Sequence, residues 1–156
     1  MIEKDFKIRK LKNNKKDRDI LLSFDNKLGE YEKTLEPKLK KTERIVYNDI
    51  PKVLLSRVCQ VLIVEKNNVP IGYIVGKIKN LPKCWKDKKY GYIECMYVES
   101  AFRGKNLGFT LFSMIKEWFE KNGCKTMRLR VFANNKKTIA RYKKWGFEEN
   151  IITMST

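Results

Sequence analysis

Histidine is absent from this 156-residue sequence, and cysteine occurs only at positions 59, 84, 95 and 124. Without histidine the chain cannot form Ser-His or Cys-His nucleophile pairs, histidine-rich metal sites or an imidazole base. The cysteine spacing excludes a Cys-x-x-Cys metal clip and a dense disulfide framework. We therefore expect no metal site, and any acid–base chemistry must come from Glu, Asp, Tyr, Lys or Cys.

Long hydrophobic runs are also missing. Apolar runs such as Val61–Val64 hold only a few residues, far fewer than the ~20 that cross a bilayer. The amino terminus enters charged sequence directly, without the apolar stretch of a signal peptide. We expect a cytoplasmic protein with no membrane partner, folded as a single domain over residues 1–156.

Acidic residues are the minority among the charges. The sequence has 18 Asp and Glu against 35 Lys and Arg, which gives a formal net charge of +17. A field of that sign attracts anions such as nucleic acid, an acidic membrane surface or a phosphorylated cofactor. Charge alone does not choose among them.

The first third of the sequence predicts one strand and two helices. Phe6–Leu11 has the composition of an edge strand. Asp17 or Asp19 is expected to cap a helix that ends near Gly29. A second helix is predicted over about Tyr31–Tyr47, with a break at its proline.

The middle of the sequence predicts three strands. Val58–Glu65 and Val69–Ile78 are rich in β-branched residues, and Asn67-Asn68 separates them, which is typical of an antiparallel hairpin. A polar, Lys-rich connection over residues 81–89 follows. Tyr92–Val98 then predicts a further strand.

The last third begins with a clear helix. Apolar residues recur every three or four positions from Leu107 to Trp118, and Asn122-Gly123 is expected to end this helix. A strand, a short basic helix and a final strand are predicted over Met127–Phe132, Asn135–Trp145 and Phe147–Met154.

The loop Arg103–Gly108 joins a predicted strand to this helix and reads Arg-Gly-Lys-Asn-Leu-Gly. Backbone N–H groups of such a loop can point together at an anion, and the helix amino terminus adds about half a positive charge. A pyrophosphate fits this chemistry. The nucleoside-triphosphate P-loop motif and the dinucleotide Gly-x-Gly-x-x-Gly motif do not match. An ordinary glycine-containing turn is the other interpretation.

Two separated motifs resemble the GNAT superfamily of acetyl-coenzyme A (acetyl-CoA) dependent N-acetyltransferases. Arg103 and Gly108 match the family's Arg/Gln-x-x-Gly-x-Gly/Ala loop, and Asn106 replaces its middle glycine. Asparagine is the non-glycine residue that best tolerates a positive φ angle. The family's Asn, helix tyrosine and closing Gly-Phe are matched in order and spacing by Asn135, Tyr142 and Gly146-Phe147. The resemblance is close over roughly residues 60–155.

This resemblance implies an α+β fold with a mixed, mostly antiparallel sheet flanked by about four helices. It also implies that acetyl-CoA is bound as cosubstrate. Its pantetheine arm would pair with the strand backbone at Met96, Tyr97 and Val98, and a backbone N–H near Val98 would stabilise the developing oxyanion. The pyrophosphate would bind the loop and first helical turn at Arg103, Gly104, Lys105, Asn106, Leu107, Gly108 and Phe109. Asn135 and Tyr142 complete the predicted cofactor-binding residues.

Two residues are the predicted catalytic groups. Glu94 is an isolated carboxylate in an apolar strand, where some family members carry a general base, and strand alternation would place it on the side of Met96 and Val98. Tyr142 lies where the family places a phenol that protonates the departing thiolate. The other interpretations are an ion-paired strand glutamate and a core tyrosine.

The predicted reaction is direct transfer of acetyl to a primary amine of a small molecule or protein in a ternary complex. An acidic patch of Asp25, Glu30, Glu32 and Glu36 would suit a cationic acceptor such as an aminoglycoside or a polyamine, and Trp85 would line its cleft. A homodimer is left open. One alternative is a catalytically idle acyl-CoA-binding regulator. Another is a nucleic-acid-binding module, suggested by Lys125, Arg128, Arg130, Lys136, Lys137, Arg141, Lys143 and Lys144, although no RNA-binding aromatic motif accompanies them and nucleic acid is not the expected partner.

Overall fold

The computed structural model describes residues 5–39 and 49–156. Within them the strands are β1 Phe6–Lys10, β2 Cys59–Lys66, β3 Val69–Asn80, β4 Lys89–Val98 and β5 Met127–Leu129. The helices are α1 Lys15–Leu35, α2 Ile50–Leu55, α3 Leu107–Lys121 and α4 Lys136–Lys144, with a 3-10 turn at Ser100–Phe102. The strands form one sheet in the order β1-β2-β3-β4-β5, in which only β4 and β5 run parallel. The predicted α+β class and mostly antiparallel sheet are confirmed.

The hairpin of β2 and β3 follows from its turn. Asn67 and Asn68 both adopt positive φ angles, 49° and 63°. A two-residue turn with two left-handed residues matches the twist of an antiparallel pair. The hairpin prediction is therefore confirmed.

The sheet carries a hydrophobic cluster on each face. Leu107, Leu111, Ile115 and Phe119 of α3 pack on one face, which we call the α3 face. Helices α1 and α2 cover the other, the α1 face, above the middle of β2 and β3 and the end of β4. Gly91 lets α3 approach closely, since a Cβ there would lie 2.4 Å from the Phe119 ring.

A buried ion network joins β1, α1 and β2. The Arg9 guanidinium donates to both carboxylate oxygens of Asp17, at 2.9 and 2.8 Å, and Arg9 Nε donates to Glu65 at 3.0 Å. Asp17 and Glu65 are only 2% and 5% exposed. The hydrogen bonds from Arg9 hold the pKa of Asp17 below its ordinary value.

Helix α1 differs from its prediction at both ends. Its N-cap is Asn14, whose side chain accepts the Asp17 N–H at 2.9 Å, because the Asp17 carboxylate is engaged by Arg9 instead. The helix continues through the buried Gly29 to Leu35, although glycine inside a helix costs ~1 kcal/mol. Tyr31 therefore belongs to α1, and much of the predicted second helix lies outside the described residues.

The carboxy-terminal strands also differ. Strand β5 ends at Leu129 instead of Phe132, because its pairing with β4 stops there. No strand forms over Phe147–Met154, and Ile151 and Met154 are 75% and 89% exposed. Composition predicted strands here, but a strand requires a neighbouring strand to pair with, and within the described residues none pairs with this segment.

No helix within the described ranges is both long and apolar enough to cross a membrane. In the same ranges, no three Cys, Asp or Glu side chains gather in a way that would hold a metal ion.

Candidate active site

The two halves of β4 have different neighbours. Gly91–Ile93 pairs with β3 on one side and with Met127–Leu129 of β5 on the other. Beyond Ile93 the β5 pairing ends, whereas the β3 pairing continues to Val98. A gap therefore opens between β4 and β5 beside the last residues of β4.

Two residues of β4 direct their backbone groups into this gap. The Glu99 N–H donates to the Ile71 carbonyl at 2.9 Å. In an antiparallel pair, hydrogen-bonded and non-hydrogen-bonded positions alternate. Tyr97 is therefore bonded to β3, and the N–H and C=O groups of Met96 and Val98 point away from β3 into the gap. The structure offers the predicted backbone groups at Met96 and Val98 but not at Tyr97, whose hydroxyl donates to Glu99 at 3.2 Å.

The loop after β4 leaves the first turn of α3 open. Gly104 and Asn106 have positive φ angles of 84° and 57°, as expected for the glycine and for the asparagine that stands at the family's middle glycine. The first bond of the helix runs from the Thr110 N–H to the Asn106 carbonyl at 3.0 Å. No side chain caps this helix, so the N–H groups of residues 107–109 lack an intrahelical acceptor. The other described helices are capped by Asn14, Asp49 and Asn135.

Arg103 connects the loop to the gap. Its Nε donates to the Val98 carbonyl at 2.9 Å, and its guanidinium lies 5.5 Å from the centre of the Tyr97 ring. Lys105 lies 5.7 Å above the Phe6 ring. A Cβ on Gly108 would meet only Trp145, at 3.7 Å, so this side of the helix is open.

Tyr142 lies on α4 in an aromatic cluster. Its ring makes edge contacts with Trp145 and Phe147, each with centroids 5.5 Å apart. Burial raises the pKa of Tyr142 to about 12, and Cys95 on β4 adds to the shift. Asn135 caps the helix, because its Oδ1 accepts from the Thr138 N–H and from the Tyr31 hydroxyl, both at 3.4 Å. The N-cap prediction for Asn135 is confirmed.

Glu94 lies on the other side of the sheet from its predicted position. The register of β3 against β4 shifts between Val75 and Gly76, which leaves Glu94 as an extra residue in a β-bulge. Met96 and Val98 pack with the α3 cluster, but Glu94 forms ion pairs with Lys77 and Lys79 on the α1 face. The prediction of a shared side was wrong because the bulge reverses the alternation.

Cations surround this glutamate. Glu94 Oε2 is buried without a hydrogen bond, 3.4 Å from Lys77 Nζ and 3.7 Å from Lys79 Nζ. Arg128 pairs with Tyr92 in register and therefore shares its face. We call Lys77, Lys79, Arg128 and Arg130 the basic face. Sequence reasoning missed its link to Glu94, although the alternation of β3 already placed Lys77 and Lys79 together.

The expected acidic patch is not formed as predicted, because Asp25 is only 3% exposed. Trp85 is 47% exposed, as an acceptor-lining residue would be, and lies 4.5 Å from the Arg128 guanidinium. A separate cavity of about 390 Å³ lies between α1 and the start of β3, beside Ile20, Phe24 and Pro70. None of its lining residues belongs to the predicted site.

An open strand edge beside an uncapped helix, within this sheet order, is the arrangement that the sequence resemblance to the acetyl-CoA dependent acyltransferase class led us to expect. The family model of the acetyltransferase (GNAT) family matches residues 25–147. The chain therefore belongs to that family. The family and the fold that were predicted from the sequence are confirmed. Acetyl-CoA is the cosubstrate of this class.

One curated relative is an uncharacterised N-acetyltransferase of Methanocaldococcus jannaschii, 32% identical over 88 residues. The match covers 54% of this chain and 37% of that protein, so the chain spans little more than a third of its relative's length.

Solved structures share the fold at low sequence identity. A mutant of the BH1408 protein from Bacillus halodurans has a TM-score of 0.84 at 17% identity, covering 96% of this chain and 98% of that one. The aminoglycoside N-acetyltransferase AAC(6')-Iy, in complex with CoA, has a TM-score of 0.71 at 18% identity, covering 97% and 93%. An aminoglycoside acetyltransferase from an uncultured soil metagenomic sample has a TM-score of 0.70 at 16% identity, covering 100% and 98%.

Proposed function

We propose that this chain transfers the acetyl group of acetyl-CoA to a primary amine by direct attack in a ternary complex. The observation that carries this proposal is the gap beside β4, where the backbone groups of Met96 and the N–H group of Val98 have no strand partner next to the open first turn of α3. A strand edge and a helix amino terminus together suit an amide-containing arm that ends in a pyrophosphate.

The residues of the gap fit the cosubstrate by their chemistry. Amide groups of the pantetheine arm would pair with Met96 and Val98 as a neighbouring strand does. The free N–H groups of residues 107–109 would receive the pyrophosphate, with the positive end of the helix dipole behind them. Gly104 and Asn106 would set the backbone shape of the loop that the pyrophosphate approaches, and Lys105 would add a positive charge there. Arg103 would contribute charge while it fixes the loop to Val98.

Acetyl-CoA supplies a thioester carbonyl, which the amine attacks while the carbon–sulfur bond breaks. The Val98 N–H faces the gap and is suited to stabilise negative charge on the carbonyl oxygen; removing one such donor costs about 2.7–4 kcal/mol elsewhere. The ammonium must lose two protons to become an amide. Glu94 would accept the first, directly or through a water, before the amine attacks. The leaving thiolate gains one proton, which Tyr142 would donate, and the second proton of the acylated nitrogen then restores the Tyr142 phenol. The products are an amide, free CoA thiol and one proton, which Glu94 releases to solvent.

Burial suits Tyr142 to this role in one respect. A pKa of about 12 keeps the phenol protonated throughout the neutral range. Donation to a thiolate, whose conjugate acid has a pKa near ~8.5, is then uphill. Proton transfer from Tyr142 must therefore occur together with cleavage of the carbon–sulfur bond.

Calorimetric titration with acetyl-CoA, followed by an amine panel monitored by release of free thiol, tests the proposal. We expect binding, weaker binding of dephospho-CoA, and thiol release that depends on an amine. Tight binding of random oligonucleotides without any heat from millimolar acetyl-CoA would favour the nucleic-acid alternative. Binding of acetyl-CoA with no acceptor found would leave the regulator alternative standing.

A further inference from the structure

The basic face occupies a part of the sheet that the described helices leave uncovered. The apolar cluster under α1 and α2 ends at Val75 and Cys95. Beyond these residues, toward the start of β4, the α1 face carries charged and aromatic side chains instead. Lys79 keeps 39% of its side chain exposed, and Arg130 is exposed. This surface begins at Glu94, the proposed acceptor of the amine proton.

Arg128 is held in place by aromatic rings. Its guanidinium lies 4.5 Å from the Trp85 ring and 4.8 Å from the Tyr90 ring. In the described ranges no carboxylate forms an ion pair with Arg128 or Arg130. A guanidinium stacked on rings keeps its N–H groups at the edge, where they can bind a planar carboxylate or a phosphate in a bidentate manner.

The charges of this surface do not balance. Four cations of the basic face stand against the carboxylate of Glu94, and Lys79 Nζ also lies 3.6 Å above the Tyr92 ring. Arg130 acts electrostatically on Tyr92, which places it in the same neighbourhood. A polycationic acceptor would meet like charge at close range, whereas an anionic group would be attracted.

The register sets the distance between the two ends of the site. Arg128 lies level with Tyr92, two residues along β4 from Glu94. At ~3.3 Å per residue along the strand and ~4.8 Å between neighbouring strands, the backbone separation is roughly 8 Å. A small molecule with an amine and an anionic group a few bonds apart spans this distance.

We propose that the acceptor is a small amine that also carries a carboxylate or phosphate, with its anionic group bound by Arg128 and the neighbouring cations and its amine directed to Glu94. This inference rests on the proposed acetyl transfer and names its substrate class. Two ammonium groups beside Glu94 also disfavour a protonated amine, which promotes the neutral nucleophile. The acceptors named by the structurally similar aminoglycoside acetyltransferases have the opposite charge.

The experiment compares amines that differ only by an anionic group. Ethanolamine is paired with O-phosphoethanolamine, tyramine with tyrosine, and kanamycin serves as a polycation. Thiol release gives kcat/KM, and the thermal shift of the CoA-saturated protein reports amines that bind without reacting. We expect the anionic member of at least one pair to exceed its partner by tenfold or more, and the preferred pair tells phosphate from carboxylate.

Arg128→Met keeps a side chain between the two rings but removes the charge. It should abolish that preference by raising KM while leaving acetyl-CoA affinity unchanged. Arg18→Met, a change of the same kind on α1, should keep the preference. Equal behaviour of both members of every pair, including no response from either, would overturn the inference, as would a preference for kanamycin. Loss of acetyl-CoA binding itself would instead count against the proposed function.

Discussion

Residues Gly91–Ile93 and Met96–Val98 belong to the same strand, yet only the first set is paired on both sides. The fully paired half packs against α3 through Gly91 and Ile93. In the second half, the backbone groups of Met96 and the N–H group of Val98 point away from β3, and β5 does not pair with them. The difference shows that one strand can serve two purposes. The half that is hydrogen-bonded to both β3 and β5 contributes to stability, and the half that is bonded only to β3 is available for binding.

The helices repeat this contrast. Helices α1, α2 and α4 each begin with a side chain that satisfies an N–H group, and α3 begins with none. An uncapped helix forgoes about 1 kcal/mol of stabilisation. At α3 the same N–H groups remain free for an anion. Changes where the strands are fully paired and the helices are capped should therefore lower stability. Changes at the gap and at the start of α3 should lower activity.

The largest expected effect is the loss of the Tyr142 hydroxyl at the gap. Tyr142→Phe keeps the ring contacts with Trp145 and Phe147, so the fold should persist, but kcat should fall by about 10²–10⁴-fold if the phenol donates the proton. Single-turnover kinetics with an identified acceptor measures this. Tyr73→Phe removes a buried hydroxyl from the other face and should leave kcat near its original value. An unchanged rate in Tyr142→Phe, with chemistry limiting, would assign the proton to another donor.

The next largest effect is a loss of stability at the ion network of Arg9, away from the gap. Arg9→Met leaves the carboxylates of Asp17 and Glu65 buried without their cation, which should lower the free energy of unfolding by about 3 kcal/mol or more. Urea denaturation measures this change. Lys7→Met, an exposed neighbour on β1, should cost little. Acetyl-CoA affinity should be unchanged in the folded fraction. A loss of affinity without a loss of stability would contradict the separation of stabilising residues from binding residues.

A smaller effect appears at high pH. The pKa of Tyr142 is about 12 in the folded chain and near its ordinary 10.0 when unfolded. Stability from this group is complete below pH 10 and is lost as the pH rises toward 12, because only the unfolded phenol ionises there. The loss should reach about 3 kcal/mol at ~1.36 kcal/mol per pH unit. Denaturation at pH 9 to 12 should show a steeper decline in the original protein than in Tyr142→Phe, and parallel declines would contradict the burial.

The smallest expected effect is a weaker affinity for acetyl-CoA when one methyl group is added near the start of α3, the helix that lacks a cap. Gly108→Ala places a Cβ in ordinary contact with Trp145, so folding should be unaffected. The methyl group crowds the approach of a pyrophosphate to the free N–H groups, and acetyl-CoA should bind about tenfold more weakly, or by about 1.4 kcal/mol. Calorimetry measures the affinity. Ser113→Ala, further along α3, is the control and should bind normally.

Elements with local causes were predictable from the sequence. The hairpin follows from Asn67-Asn68, and α3 follows from its apolar period and from Gly123, whose φ angle is 76°. The cap of α1 was not predictable, because Asp17 is drawn away by Arg9 on another strand. The absence of a strand over Phe147–Met154 was equally hidden, since pairing depends on a distant partner.

The candidate site shows the same limit. The loop at Asn106 and the cap at Asn135 lie within short motifs, so the sequence located both. The face occupied by Glu94 depends on a bulge that adds one residue to β4, and strand composition contains no sign of it. The arrangement of Arg128 between Trp85 and Tyr90 joins three segments that only the folded sheet brings together.

Amide hydrogen exchange with and without acetyl-CoA tests most directly whether the unpaired groups of β4 and α3 bind the cosubstrate. The amides of Met96, Val98 and residues 107–109 should exchange rapidly in the free protein and slow by about tenfold or more on binding. The Tyr97 amide, already bonded to β3, serves as the internal reference and should change little. Binding of acetyl-CoA without protection of Met96 and Val98 would contradict the assignment of the gap as the cosubstrate site.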